Sequence, residues 1–164
     1  MMAETFEIKR VFAAPRERVW EAWTRPEQFA RWFGPRGSSA EVRHFDLQPG
    51  GYLHTRLEAT DGSVMWSKNI YRTIEAPRRL VWEQSFSNEA AEIVPSPFPM
   101  PWPLRMRTTV LLDEADGGTL VTLVWEPIDP TDAERASFLG MMASMTGGWT
   151  GTFDQLDAFL AEAD

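Results

Sequence analysis

The chain has 164 residues, enough for one domain to bury a sizeable core without disulfides or metals. A net charge of -8 argues against nucleic acid or an anionic membrane as partner, since both need a basic footprint. The lack of cysteine excludes thiolate catalysis, Cys-based zinc sites and disulfides.

The N-terminus, MMAETFEIKR, lacks the apolar run of a signal peptide, and no window approaches the ~18 apolar residues of a membrane span. A cytoplasmic protein without membrane insertion is therefore expected, with one domain over 1–164. Residues 5–13, TFEIKRVFA, alternate as a strand, with Phe6, Ile8 and Arg10 on one face and Glu7, Lys9 and Val11 on the other. Pro15 opens a helix, where its missing N–H costs nothing, and Val19, Trp20 and Trp23 give that helix an apolar side. Thr24-Arg25-Pro26-Glu27 has the form of a capping box for a second short helix carrying Phe29, Trp32 and Phe33, ended by Gly34-Pro35.

Strands are predicted near 39–47, 51–59, 63–74, 79–87, 104–113 and 118–126. Pro49-Gly50-Gly51, Asp61-Gly62, Ala76-Pro77 and Asp116-Gly117-Gly118 separate them. Short turns of this kind imply an antiparallel meander. One connection is long. It holds VPSPFPMPWPL (94–104), with prolines at 95, 97, 99, 101 and 103 and the apolar Phe98, Met100 and Trp102 between them. Alternating prolines make a stiff ribbon that is neither helix nor central strand.

The chain ends in a helix over 131–162. Thr131 and Glu134 form a capping box, and Asp132 places negative charge at the N-terminal dipole end. Apolar residues at 138, 142, 145, 149, 153, 156 and 160 make one continuous stripe. Gly147-Gly148 predicts a local bend or a close backbone approach in an otherwise single helix. A long amphipathic helix and a large antiparallel sheet bury their apolar faces together, as an α+β fold in which a curved sheet wraps the helix.

This order of elements resembles the helix-grip, START-like (SRPBCC) superfamily. RVFAAPRERVWEAWTRPEQFARWFGP (10–35), DLQPGG (46–51), IYRTIEAPRRLVW (70–82), GGTLVTL (117–123) and GWTGTFDQL (148–156) are similar to one branch. That branch is named after the C-terminal domain of the activator of the heat-shock-protein-ninety ATPase. The resemblance implies a pocket for a small lipophilic molecule. Some relatives are polyketide cyclases, and the branch has no universal catalytic residue to carry over. The co-chaperone has a further N-terminal domain for which this chain has no room, so chaperone activation is not expected.

Two histidines and no cysteine leave metal binding to carboxylates, and nothing is spaced for it, so no metal and no cofactor are expected. His44 and Asp46 share a strand face, as a carboxylate-oriented base or as a polar pair on the solvent side. His54, between Tyr52 and Arg56, is expected outside. Glu83 and Glu126 are either pocket acids or surface residues. No catalytic residue is assigned.

The aromatic and methionine side chains are the stronger signal, although each alone also fits a filled core. Eight tryptophans and eight methionines suit adaptable apolar walls. The candidate ligand-binding residues are Trp32, Phe33, Trp66, Trp82, Phe86, Phe98, Trp102, Met142, Met145, Trp149 and Phe153. The expected partner is a hydrophobic or aromatic small molecule held between sheet and C-terminal helix. A cyclase or dehydratase and a protein-interaction domain are the alternatives. The proline ribbon reads as a flap over one end of the cavity, as a homodimer contact, or, least favoured, as a ligand for SH3 or WW domains.

Overall fold

Seven strands form one curved antiparallel sheet in the order β1-β7-β6-β5-β4-β3-β2. The computed structural model describes residues 5–35 and 37–162; the first four residues of the N-terminal stretch read above lie outside that range. The strands are β1 (Phe6–Phe12), β2 (Ser39–Phe45), β3 (Tyr52–Glu58), β4 (Val64–Glu75), β5 (Arg79–Ser87), β6 (Met106–Ala115) and β7 (Gly118–Pro127). All six predicted meander strands are present, with ends displaced by a residue or two. The helices are α1 (Arg16–Thr24), α2 (Pro26–Trp32), α3 (Asp132–Gly140) and α4 (Met142–Leu160).

Period-two alternation sets the inner face. β1 pairs with β7 so that Phe6 faces Trp125 and Ile8 faces Leu123, and Val110 of β6 lies opposite Leu123 in turn. Phe12, Leu80, Val110, Leu112, Val121 and Leu123 are almost wholly buried there. The tight β6–β7 turn brings β7 against the end of β1. A side chain at Gly118 would collide with the Phe12 carbonyl, so glycine is required.

α1 and α2 differ from the reading of their boundary. Pro26 drives Arg25 into extended geometry, so Arg25 caps α2 and Thr24 remains the last residue of α1. The Thr24 hydroxyl donates to the Trp20 carbonyl at 2.7 Å and caps nothing downstream. The capping box at the head of α3 does form. Thr131 Oγ1 accepts from the Glu134 N–H at 3.1 Å, and Glu134 Oε1 accepts from the Thr131 N–H at 3.0 Å.

The C-terminal helix is interrupted at Met141 (φ -101°, ψ 9°), directly after Gly140, and not at Gly147-Gly148. α4 runs unbroken through both of those glycines, and a Cβ on either would meet nothing within 4 Å. They provide open space, not a close approach. Phe153 of α4 meets Phe12 of β1 edge to face at 5.4 Å, and Arg10 bonds Asp154 at 2.8 Å. These contacts fasten α4 across the inner face of the sheet.

Candidate functional site

A cleft of about 310 Å³ remains between α4 and the sheet. Its floor comes from Leu57 of β3, Met65 and Ser67 of β4, Gln84, Ser85 and Phe86 of β5, Met106 of β6 and Trp125 of β7. Its roof is Met141, Ser144, Met145, Gly148, Trp149 and Thr152. Phe33, Gly34 and Pro35 close one side, and Phe98, Trp102, Pro103 and Leu104 bring the proline ribbon to it. The volume falls at the lower end of the range typical of ligand pockets.

Local chemistry fixes the rim. Gly34 has φ +108°, and a side chain there would press on Ser38 and Leu57. The Gly34 carbonyl accepts from Thr152 Oγ1 at 3.0 Å and from Gln155 Nε2 at 2.6 Å; the same Gln155 amide reaches the Trp32 carbonyl at 3.1 Å. The GWTGTFDQL motif thereby clamps the exit of α2 onto α4 and sets the width of the cleft. Phe33 then meets Trp149 edge to face at 6.2 Å.

Of the sequence-derived candidates, Phe33, Phe86, Phe98, Trp102, Met145 and Trp149 line the cleft. The other five stand elsewhere. Trp32 is buried against Trp23 and donates its indole N–H to the Ala22 carbonyl at 2.9 Å. Trp82 packs in the core between Trp23 and Tyr71, and Phe153 between Phe12 and Trp149. Met142 packs partly buried on the core; the break after Gly140 makes its neighbour Met141 the lining residue. Trp66 points to the outer face, stacked on His54 with Arg43 over its ring. Leu57, Met65, Gln84, Met106 and Trp125 were not among the candidates. Their strand parity matches that of the inner-face residues, and this was the available signal.

The titratable candidates lie away from the cleft. His44 is exposed and stacks on Tyr52 at 4.1 Å, while Asp46 takes a hydrogen bond from Gln48. His54 is on the outer face as expected, but it is 3 % exposed, not solvent-facing. Its Nε2–H donates to the Asn88 carbonyl at 2.9 Å, so the segment after β5 covers it. Burial holds the His54 pKa below its ordinary value, helped by the positive charges of Arg43 and Lys68. Glu83 lies between Arg72 and Arg105 at 3.0 and 3.3 Å. The hydrogen bonds from Arg72 hold its carboxyl below the usual range. Glu126 pairs with Arg107 at 3.0 Å. Among the described residues no charged side chain lines the cleft, and no cluster of potential metal ligands occurs.

A sequence profile described as Activator of Hsp90 ATPase homolog 1-like protein matches residues 13–161. The chain belongs to this family. The sequence resemblance to the START-like superfamily and to this branch therefore holds. Solved structures similar to the chain include protein Ms6760 from Mycobacterium smegmatis, 24% identical, with a TM-score of 0.78 over 98% of this chain and 92% of that one. A protein from Arthrobacter aurescens is 26% identical, with a TM-score of 0.78 over 98% and 88%. The AHSA1 protein from Silicibacter pomeroyi shares the fold at 14% identity, with a TM-score of 0.73 over 96% and 98%. No curated protein matches the sequence. No helix among the described residues is long and apolar enough to cross a membrane.

Proposed function

We propose that this family member binds a hydrophobic or aromatic small molecule in the cleft between the sheet and α4. The observation that carries the reading is the lining. Aromatic, methionine and leucine side chains supply most of its walls, Ser67, Gln84, Ser85, Ser144 and Thr152 add uncharged polar groups, and none of its described side chains is charged. Such walls favour an apolar guest, and methionine adapts to its shape. The reading is of a one-domain cytoplasmic binding protein that needs no metal or cofactor.

A cyclase or dehydratase would need an acid or base within reach of the guest. His44, Asp46, Glu83 and Glu126 are engaged away from the cleft, which supports binding over catalysis. The direct test is uptake of a neutral solvatochromic dye such as Nile red. Met145→Trp fills the space beneath α4 and should weaken uptake roughly tenfold or more, the loss of about one buried apolar contact surface. His44→Gln should leave uptake unchanged. If the parent takes up no dye, or Met145→Trp binds as well as the parent, the cleft is not the site. A loss with His44→Gln in a folded protein would favour the enzyme reading.

A further inference from the structure

The inner face of the sheet holds a row of polar side chains beside the cleft. Asn69 is 1 % exposed, yet neither its Nδ2 nor its Oδ1 has a hydrogen-bonding partner among the described residues. The same holds for Thr108 Oγ1 and for the indole N–H groups of Trp82 and Trp125. These four residues are neighbours by register. Trp125 lies opposite Thr108, Thr108 opposite Trp82, and Asn69 opposite Gln84, two residues along β5 from Trp82. The cleft reaches this row at Gln84 and Trp125, both lining residues.

Folded proteins pair nearly all of their buried polar groups, so unpaired atoms on neighbouring strands beside an apolar cleft are where the polar atom of a ligand gains a partner. The chemistry of the patch says which kind. The two indoles only donate, the Asn69 amide brings two N–H donors and one acceptor oxygen, and the Thr108 hydroxyl serves either way. Donors predominate, so the matching group is an acceptor. No described charge lines the cleft to balance a carboxylate, and the arginines of this region, Arg72, Arg105 and Arg107, are paired with Glu83 and Glu126.

We propose that Asn69, Thr108 and Trp125 form a hydrogen-bonding subsite, beside the cleft wall at Gln84 and Trp125, for a neutral acceptor, the carbonyl oxygen of a ketone, lactone or amide, on an otherwise apolar ligand. The proposal rests on the cleft-binding reading above and specifies its ligand class. The shape of the cleft selects an apolar body, and the polar row orients it.

The experiment compares 2-acetylnaphthalene with 2-ethylnaphthalene, similar in size and differing in the carbonyl, as competitors of Nile red on the full chain. After correction for water-to-octanol partition, the parent should favour the ketone by roughly three- to tenfold, as one or two net hydrogen bonds provide. Thr108→Val and Asn69→Leu should each reduce that preference while leaving the hydrocarbon affinity unchanged. The free variants should melt no lower than the parent, since an unpaired buried group has been replaced by an apolar one. The bound ketone's carbonyl stretch should lie at lower frequency in the parent than in the variants. Thr108→Val alone decides the matter if Asn69→Leu does not fold. Equal affinity for ketone and hydrocarbon, a preference untouched in Thr108→Val, or tighter binding of 2-naphthoate than of the ketone overturns the subsite and leaves the cleft reading standing. Failure of both naphthalenes and the dye to bind the parent overturns the cleft reading, and this one with it.

Discussion

The indoles of Trp125 and Trp149 meet edge to face, with centroids 6.3 Å apart and planes at 83°. One belongs to β7 and the other to α4, so this contact joins sheet and helix at the wall of the cleft. Trp149 also packs on Phe33 and Phe153. Trp149→Ala should therefore cost about 3–5 kcal/mol of stability, the usual range for deleting a large buried aromatic. Denaturant unfolding would measure it. Trp66→Ala, on the outer face, should cost clearly less, and equal losses would mean that Trp149 is no more central than a surface stack.

Much of this arrangement was legible in the sequence, because alternation and stripe spacing report burial directly. β1 shows it well. Phe6 and Phe12 are buried, Val11 is half exposed, and Arg10 shares the inner parity because it pairs with Asp154 of α4. The stripe on the C-terminal segment held in part: Phe138 of α3 and Met145, Trp149, Phe153 and Leu156 of α4 are buried, while Met142 and Leu160 are only partly so, and the break at Met141 divides the stripe between two helices. Which apolar residues border empty space was less legible. Trp32 and Trp149 look alike as sequence, but only a three-dimensional packing decides that one meets Trp23 and the other a cleft. His54 shows the same limit, because its cover comes from the segment at Asn88, thirty-four residues away.

The adjacent Gly147 and Gly148 of α4 give a test with opposite outcomes. Both have room for a side chain, but only Gly148 lines the cleft. Gly147→Ala should stabilise the protein by up to about 1 kcal/mol, the helix-propensity gap, and leave dye uptake unaltered. Gly148→Leu should be at least as stable as the parent and should exclude the dye. If Gly148→Leu binds the dye normally, the ligand does not lie under α4.

Acid sensitivity should trace to His54 first. In the unfolded chain it takes a proton near 6.5, whereas in the folded protein burial defers protonation to lower pH. The unfolded state then binds more protons within that window, so stability is complete above the unfolded value and falls as pH drops toward the folded one. Arg43, Lys68 and His44 all oppose a positive charge there. Glu83 acts further down. Its contribution is present above 4.5 and is lost as pH falls through its lowered folded value. Thermal unfolding between about pH 7.5 and 5.5 should show a decline in the parent that is much smaller in His54→Gln. Identical slopes would assign the decline to another group.

The proline ribbon yields the last prediction. Among the described residues its backbone from Pro95 to Leu104 makes one hydrogen bond, from the Phe98 N–H to Ser96 Oγ at 3.1 Å. Side chains hold it instead. Phe98 meets Phe86 edge to face at 5.5 Å, and Trp102 lies 6.1 Å from Phe138. Proline reduces the entropy lost when such a segment is ordered, so few contacts suffice. Both Phe98 and Trp102 line the cleft, which favours a flap, yet Phe98 and Leu104 stay 40% and 50% exposed, as they would for a subunit contact. Phe98→Ser combined with Trp102→Ser separates the two. A flap predicts faster dye release, easier proteolysis near residue 100 and an unchanged sedimentation profile. Each lost aromatic contact removes about 1.5–3 kcal/mol of burial, enough to open a segment held this lightly. A dimer that dissociates while dye release keeps the parent rate would make the ribbon an interface, with the exposed edges of Phe98 and Leu104 as its contact.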